Sequence, residues 1–200
     1  MVPTAPWIRY FAYIISMTEW IILFSIIYDW RKNLLQEKKM RFSIAYKFMI
    51  LADLWVFLNI IVALLISIPA INLFTHGTHI TVAHSMGTTI GINTLILFSS
   101  ITYIFNTAFT FSERTIQRLK KGIQIFHISF FLFWTTLLIM GIKKSFWLFG
   151  NSSETFSKFQ ESQHGWHIAF VLFGLGIITG LGIIMLQLIK TFQQNKFKNI

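Results

Sequence analysis

The chain has 200 residues, of which 54% are hydrophobic, 17% aromatic and only 12% charged, a balance that leaves too little polar surface to coat a soluble domain. Its 17 Lys and Arg outnumber 7 Asp and Glu to give a formal charge of +10. The cations fall mostly between long apolar runs, where membrane-protein loops carry them, so no nucleic-acid partner is implied.

With no cysteine in the chain, disulfides, thiolate metal sites and cysteine nucleophiles are excluded, and six histidines remain as the main candidates for metal chemistry. Met1–Trp7 holds no basic region followed by a small-residue cleavage site, so the first apolar run is expected to stay in the protein. The composition predicts an all-α membrane protein, a single helical membrane domain over residues 1–200 with about five transmembrane helices. In chain order the expected spans are roughly Ile8–Tyr28, Tyr46–Ile68, Val82–Phe105, Ile123–Ile142 and Gly165–Ile189. Each is about 20 residues or more, enough to cross about 30 Å of hydrocarbon as a helix, the form in which a spanning backbone satisfies its own hydrogen bonds. Trp7, Trp30, Trp147 and Trp166 fall near the expected ends, where an indole keeps its N–H in the interface. Pro69 after the second span, and Gly122 and Gly165 before the last two, read as helix punctuation.

Orientation follows from the cations. Residues 29–47 hold six Lys and Arg, residues 107–122 four and the tail from Lys190 three, whereas the other side has Arg9 and three in residues 143–164. Thirteen against four predicts an outer N-terminus, a cytoplasmic C-terminus and a multi-pass protein of the lipid bilayer. His76, His79, His84, His164 and His167 then lie at or near the outer side, and His127 starts from the inner side.

The stretch Phe74–Asn93, F-T-H-G-T-H-I-T-V-A-H-S-M-G-T-T-I-G-I-N, crowds three histidines at one helix start. His84 lies inside the apolar segment, where an imidazole needs a hydrogen-bond partner on a neighbouring helix or a metal. At about 100° per residue, His84 and Met86 project about 200° apart and address different neighbours. Gly87 and Gly91 remove bulk below them, for a flat cofactor or for a packed helix. His76 and His79, three apart, could share a face toward a haem propionate or a metal, or face solvent. Glu19 lies near mid-membrane, where an unpartnered carboxylate is costly, so it has a functional role or an interhelical partner. Asp53 reads as structural, bonded to Asn59 or to loop amines. His164 and His167 read as interfacial polar residues, with an outer-side metal site as the weaker alternative. No phosphate loop, Ser-His-Asp arrangement or cysteine-histidine zinc spacing occurs.

The segment T-H-G-T-H-I-T-V-A-H resembles the entrance to the tenth helix in the catalytic subunit of bacterial nitric oxide reductases, relatives of the haem-copper oxidases. P-W-I-R-Y-F-A-Y-I-I-S-M-T-E-W at Pro6–Trp20, a basic loop and I-P-A-I-N-L-F-T-H-G at Ile68–Gly77 follow in that family's order. The likeness covers nearly the whole chain, strongest over Ile68–His84 and weakest after about Asn106, and implies the last five helices of a twelve-helix subunit. It places His84 as axial ligand of a high-spin haem b. Where the family has a second histidine, ligand of the low-spin haem, this chain has Met86, whose thioether either ligates that haem or packs. Glu19 matches a Glu in the proton or metal environment of the dinuclear site, and His76 and His79 become candidate propionate contacts. The implied function is the haem-binding part of a nitric oxide reductase-like, or related terminal oxidase, catalytic subunit of a bacterial inner-membrane electron-transfer chain. The implied partners are the seven preceding helices, on another chain or gene segment, with the non-haem iron or copper ligands, and a cytochrome c-type subunit or quinol as electron donor. On that reading these residues alone do not turn over. The alternative is a non-catalytic membrane haem-binding or assembly protein derived from that family.

Overall fold

A computed structural model of the chain describes residues 6–33, 41–150 and 154–196, and every regular element among them is helical. Helix α1 is Pro6–Asn33 and α2 is Ser43–Ser67. Ile68, held extended at ψ 120° before Pro69, ends α2, and Pro69 then opens the short α3, Pro69–Thr75. Gly77, at φ +73°, makes the turn into α4, His79–Met86, whose start is capped by the Thr78 hydroxyl accepting from the Ile80 amide at 3.3 Å. A π-helical segment, Gly87–Thr94, continues α4 without a break into α5, Leu95–Ala108. Ser112 caps α6, Glu113–Phe149, with Glu113 in its first turn where the helix dipole favours it. The short α7, Phe156–Ser162, leads to α8, His164–Lys196.

Four helices among the described residues are long and apolar enough to cross a bilayer: Ser43–Ser67, His79–Ala108, Glu113–Phe149 and His164–Asn195. The first expected span lies within α1, which makes about 42 Å at 1.5 Å per residue. The last three spans run beyond the expected bounds at both ends, the second starts earlier than expected and stops at Ser67, and α3 and α7 take up much of the expected outer loops. Gly122 is not punctuation. It lies inside α6, where an added Cβ would come 3.0 Å from both Ile183 and Ile184 of α8.

The α6–α8 pair is the most closely packed, α2 lies along α5, α4 rests on α6, and α1 touches α2 through Phe24–Phe57 and Trp30–Tyr46 ring contacts. The shared core centres on Trp55, Phe48, Phe126, Phe130 and Leu95, each fully buried. Outward faces carry large apolar side chains such as Ile168, Val171, Leu175 and Ile178 on α8, a surface that suits lipid. At one end Asn106 donates to the Arg41 carbonyl at 2.6 Å. At the other Ser145 donates to the Phe74 carbonyl at 2.7 Å. The basic starts of α2 and α6 therefore share the first end, and His76, His79 and His167 gather at the second.

Candidate functional site

His84 sits on α4, one residue past a point where that helix is pinned: Trp134 of α6 donates its indole N–H to the Ala83 carbonyl at 3.0 Å. Its half-buried imidazole meets α2, with Nδ1 3.1 Å from Asn59 Oδ1. The other end of the Asn59 carboxamide donates to Thr88 Oγ1 at 2.7 Å, and the Thr88 hydroxyl donates back to the His84 carbonyl at 3.3 Å. That chain of donors fixes the proton. Asn59 Oδ1 can only accept, so His84 Nδ1 donates, and in the neutral ring Nε2 keeps its lone pair. A histidine so held is oriented as metal-bound histidines are, with one nitrogen tied to a protein acceptor and the other free to ligate.

Gly87 and Gly91 explain how α2 comes so close. A Cβ at Gly87 would strike the Asn59 carboxamide, and one at Gly91 would lie 2.8 Å from Trp55 and 2.9 Å from Phe130. Among the described residues both glycines serve helix packing, and the flat neighbours of Gly91 are this chain's own rings. Trp55 meets Phe130 at 4.3 Å between centroids in a tilted contact and Trp134 at 5.5 Å edge-on.

Met86 is half-buried and packs against the apolar core. The expected Asp53–Asn59 bond does not form. Six residues along one helix put the two about 240° apart, Asn59 is committed to His84 and Thr88, and the buried Asp53 Oδ2 has no partner. Glu19 lies midway along α1, and its side chain is outside the described residues.

His76 and His79 do not share a helix face. His76 is exposed at the C-terminal cap of α3, Gly77 breaks the helix after it, and His79 opens the next one. His79 instead lines a chamber of about 170 Å³ between α4, α6, α7 and α8, together with Lys144, Gln163 and His167. Sequence reasoning missed this shared lining, since the proximity of residues so far apart in the chain has no local signature. His164 is exposed at the start of α8. Among the described residues no group of three or more His, Cys, Asp or Glu is placed to hold a metal ion.

On the face of α4 and the π segment that this chain leaves uncovered stand Ser85, Thr89 and Asn93, four residues apart and all exposed. Asn93, near the middle of the 30-residue helix His79–Ala108, has no side-chain hydrogen-bond partner among the described residues.

A family model described as cytochrome c and quinol oxidase polypeptide I matches residues 1–179. The chain belongs to that family. It is therefore a multi-pass membrane protein of the haem-copper oxidase subunit I type. Neither the curated proteins nor the solved structures give a significant match.

Proposed function

We propose that this member of the cytochrome c and quinol oxidase polypeptide I family is the haem-binding part of a nitric oxide reductase-like catalytic subunit in the bacterial inner membrane. The observation that carries the reading is the His84–Asn59–Thr88 network, which leaves His84 Nε2 with a lone pair on a pinned helix. An imidazole held this way fits an axial haem ligand in its donor chemistry and in its second-shell support. Bound haem would supply the one-electron chemistry, with a non-haem iron or copper completing the metal pair. The chain's own residues hold the imidazole at one rotation and keep its proton at Nδ1. Glu19, midway along α1, is proposed to hold a proton for the reaction. His79 and His76 are proposed to meet the haem's propionates. The overall reaction takes two nitric oxide molecules, two electrons and two protons to nitrous oxide and water, electrons coming from a cytochrome c-type subunit or quinol.

The remaining ligands are expected on helices outside these 200 residues, whether in the same polypeptide or another. The polar stripe Ser85, Thr89 and Asn93 supports such a cover, because a bare carboxamide in hydrocarbon is costly and polar side chains join membrane helices by hydrogen bonds. In the completed complex, His84→Ala should remove the high-spin haem signal. An unchanged spectrum would rule the ligand out. A second reading, a membrane haem-binding or assembly protein without turnover, draws support from Met86, which packs on the core where the resembling family has its second ligand.

A further inference from the structure

At the end of the bundle where α2 starts and α5 stops, the helices leave a groove of about 530 Å³. Phe42, Tyr46 and Met49 line it from the start of α2, Ile96 and Tyr103 from α5, and Trp30 from the end of α1. The lining runs from Phe42 to Met49 along one helix and from Ile96 to Ile104 along the other, about 10–12 Å at 1.5 Å per residue, so the groove lies along the helices and beside one leaflet's acyl chains. Its serines turn their hydrogens to backbone: Ser99 donates to the Ala45 carbonyl at 2.9 Å and Ser100 to the Ile96 carbonyl at 3.0 Å. The groove opens outward, with Tyr103 50% and Ile104 62% exposed. Arg41 stands at its basic end. The guanidinium carbon lies 5.3 Å from the centroid of the Phe42 ring, which meets the Tyr103 ring at 4.6 Å. Arg41 is exposed and has no carboxylate partner among the described residues. Arg31 and Lys32, also exposed, follow Trp30 in the last turn of α1, and no carboxylate lines the groove.

We propose that this groove binds one anionic phospholipid, with an acyl chain along Met49 and Ile96 and the phosphate at Arg41. Charge and shape select the occupant. An apolar slot parallel to the helices takes a hydrocarbon chain, an unpaired guanidinium at its end takes a phosphate, and Trp30, Tyr46 and Tyr103 suit the headgroup level between them. A zwitterionic lipid is the poorer occupant, because it brings its own cation beside Arg41, Arg31 and Lys32. A quinone is poorer as well, because its carbonyls need donors and both serine hydroxyls already donate to backbone. The lipid would fill space between helices that protein packing leaves open. Since α1 meets α2 through the Phe24–Phe57 and Trp30–Tyr46 ring contacts, a chain lodged beside Trp30 would help to seat the helix that carries Glu19. The site does not depend on haem, so it is tested on the haem-free full chain.

Native mass spectrometry of that chain in micelles carrying dioleoyl phosphatidylglycerol should show one retained lipid per chain, and the same micelles with dioleoyl phosphatidylcholine should not, a comparison that needs no variant to fold. Arg41→Gln should weaken phosphatidylglycerol retention at least about fivefold, the factor one cation contributes at an anionic lipid surface. Ser100→Phe, which fills the groove from an exposed position, should abolish retention, and the rise in thermal midpoint that phosphatidylglycerol gives the wild type should vanish with it. Arg118→Gln, which removes an exposed cation of α6 outside the groove, should leave retention unchanged. Equal retention of phosphatidylcholine, an equal loss with Arg118→Gln, full retention in Ser100→Phe, or displacement of the lipid by decylubiquinone would each overturn the proposal.

Discussion

Asn59 spends both ends of its carboxamide on the helix that carries His84, so replacing it tests orientation without touching the ligand. Asn59→Leu should leave His84 in place yet lower haem affinity in the completed complex by about 10–100-fold, the usual cost of a lost second-shell partner. Titration of that variant with haem measures it. Met86→Leu, which keeps volume, separates the two roles of the thioether. If sulfur ligates a low-spin haem, magnetic circular dichroism of the completed complex shows a near-infrared sulfur-to-iron band that the leucine variant lacks. An intact spectrum leaves Met86 as packing. His84 was legible in the sequence because a histidine inside an apolar run demands a partner. Asn59 was not, because its role depends on where α2 crosses α4, and the crossing is set by Gly87 and Gly91 meeting side chains 28 and 36 positions away, at Asn59 and Trp55.

Glycines in the long helices divide into those that are pressed and those that are free. A Cβ at Gly180 would lie 2.7 Å from the Phe126 Cα and 2.8 Å from its Cβ, atoms of a buried residue that cannot yield, while one at Gly182 would meet nothing within 4 Å. Gly180→Ala should therefore destabilise the protein by about 1–3 kcal/mol through forced separation of α6 and α8. Gly182→Ala should stabilise it by about 0.5–1 kcal/mol, the helix-interior difference between the two residues. Unfolding in detergent, scored by circular dichroism, compares them directly. Periodicity and length gave the spans but not their extents, because α6 and α8 carry polar turns well past the hydrocarbon-length core, and hydropathy stops where charge begins. The π segment was equally hidden. By composition its residues Gly87–Thr94 read as about two more turns of α-helix, and Gly87 and Gly91 within it seat against α2.

By the sequence count, 13 of the 17 basic residues fall on the side expected to be cytoplasmic. Reporter fusions after Gln36, Ser112 and Asn199 should accordingly read cytoplasmic, and those near Thr78 and Ser153 external. The reverse pattern would carry His84 to the inner half and undo the proposed haem site with it. Haem should load only when further helices cover the Ser85, Thr89 and Asn93 stripe, which absorption spectra of the chain with and without such partners would show. The close seating of Gly122, Gly176 and Gly180 between α6 and α8 also bears on how the chain is made. Two helices joined at one end and meeting glycine to backbone form a hairpin whose association needs no third helix. A fragment of residues 113–196 should thus insert and pair by itself. The hairpin leaves the ribosome after α2 and α5, so the earlier helices wait in the membrane for the wall against which α4 is finally pinned.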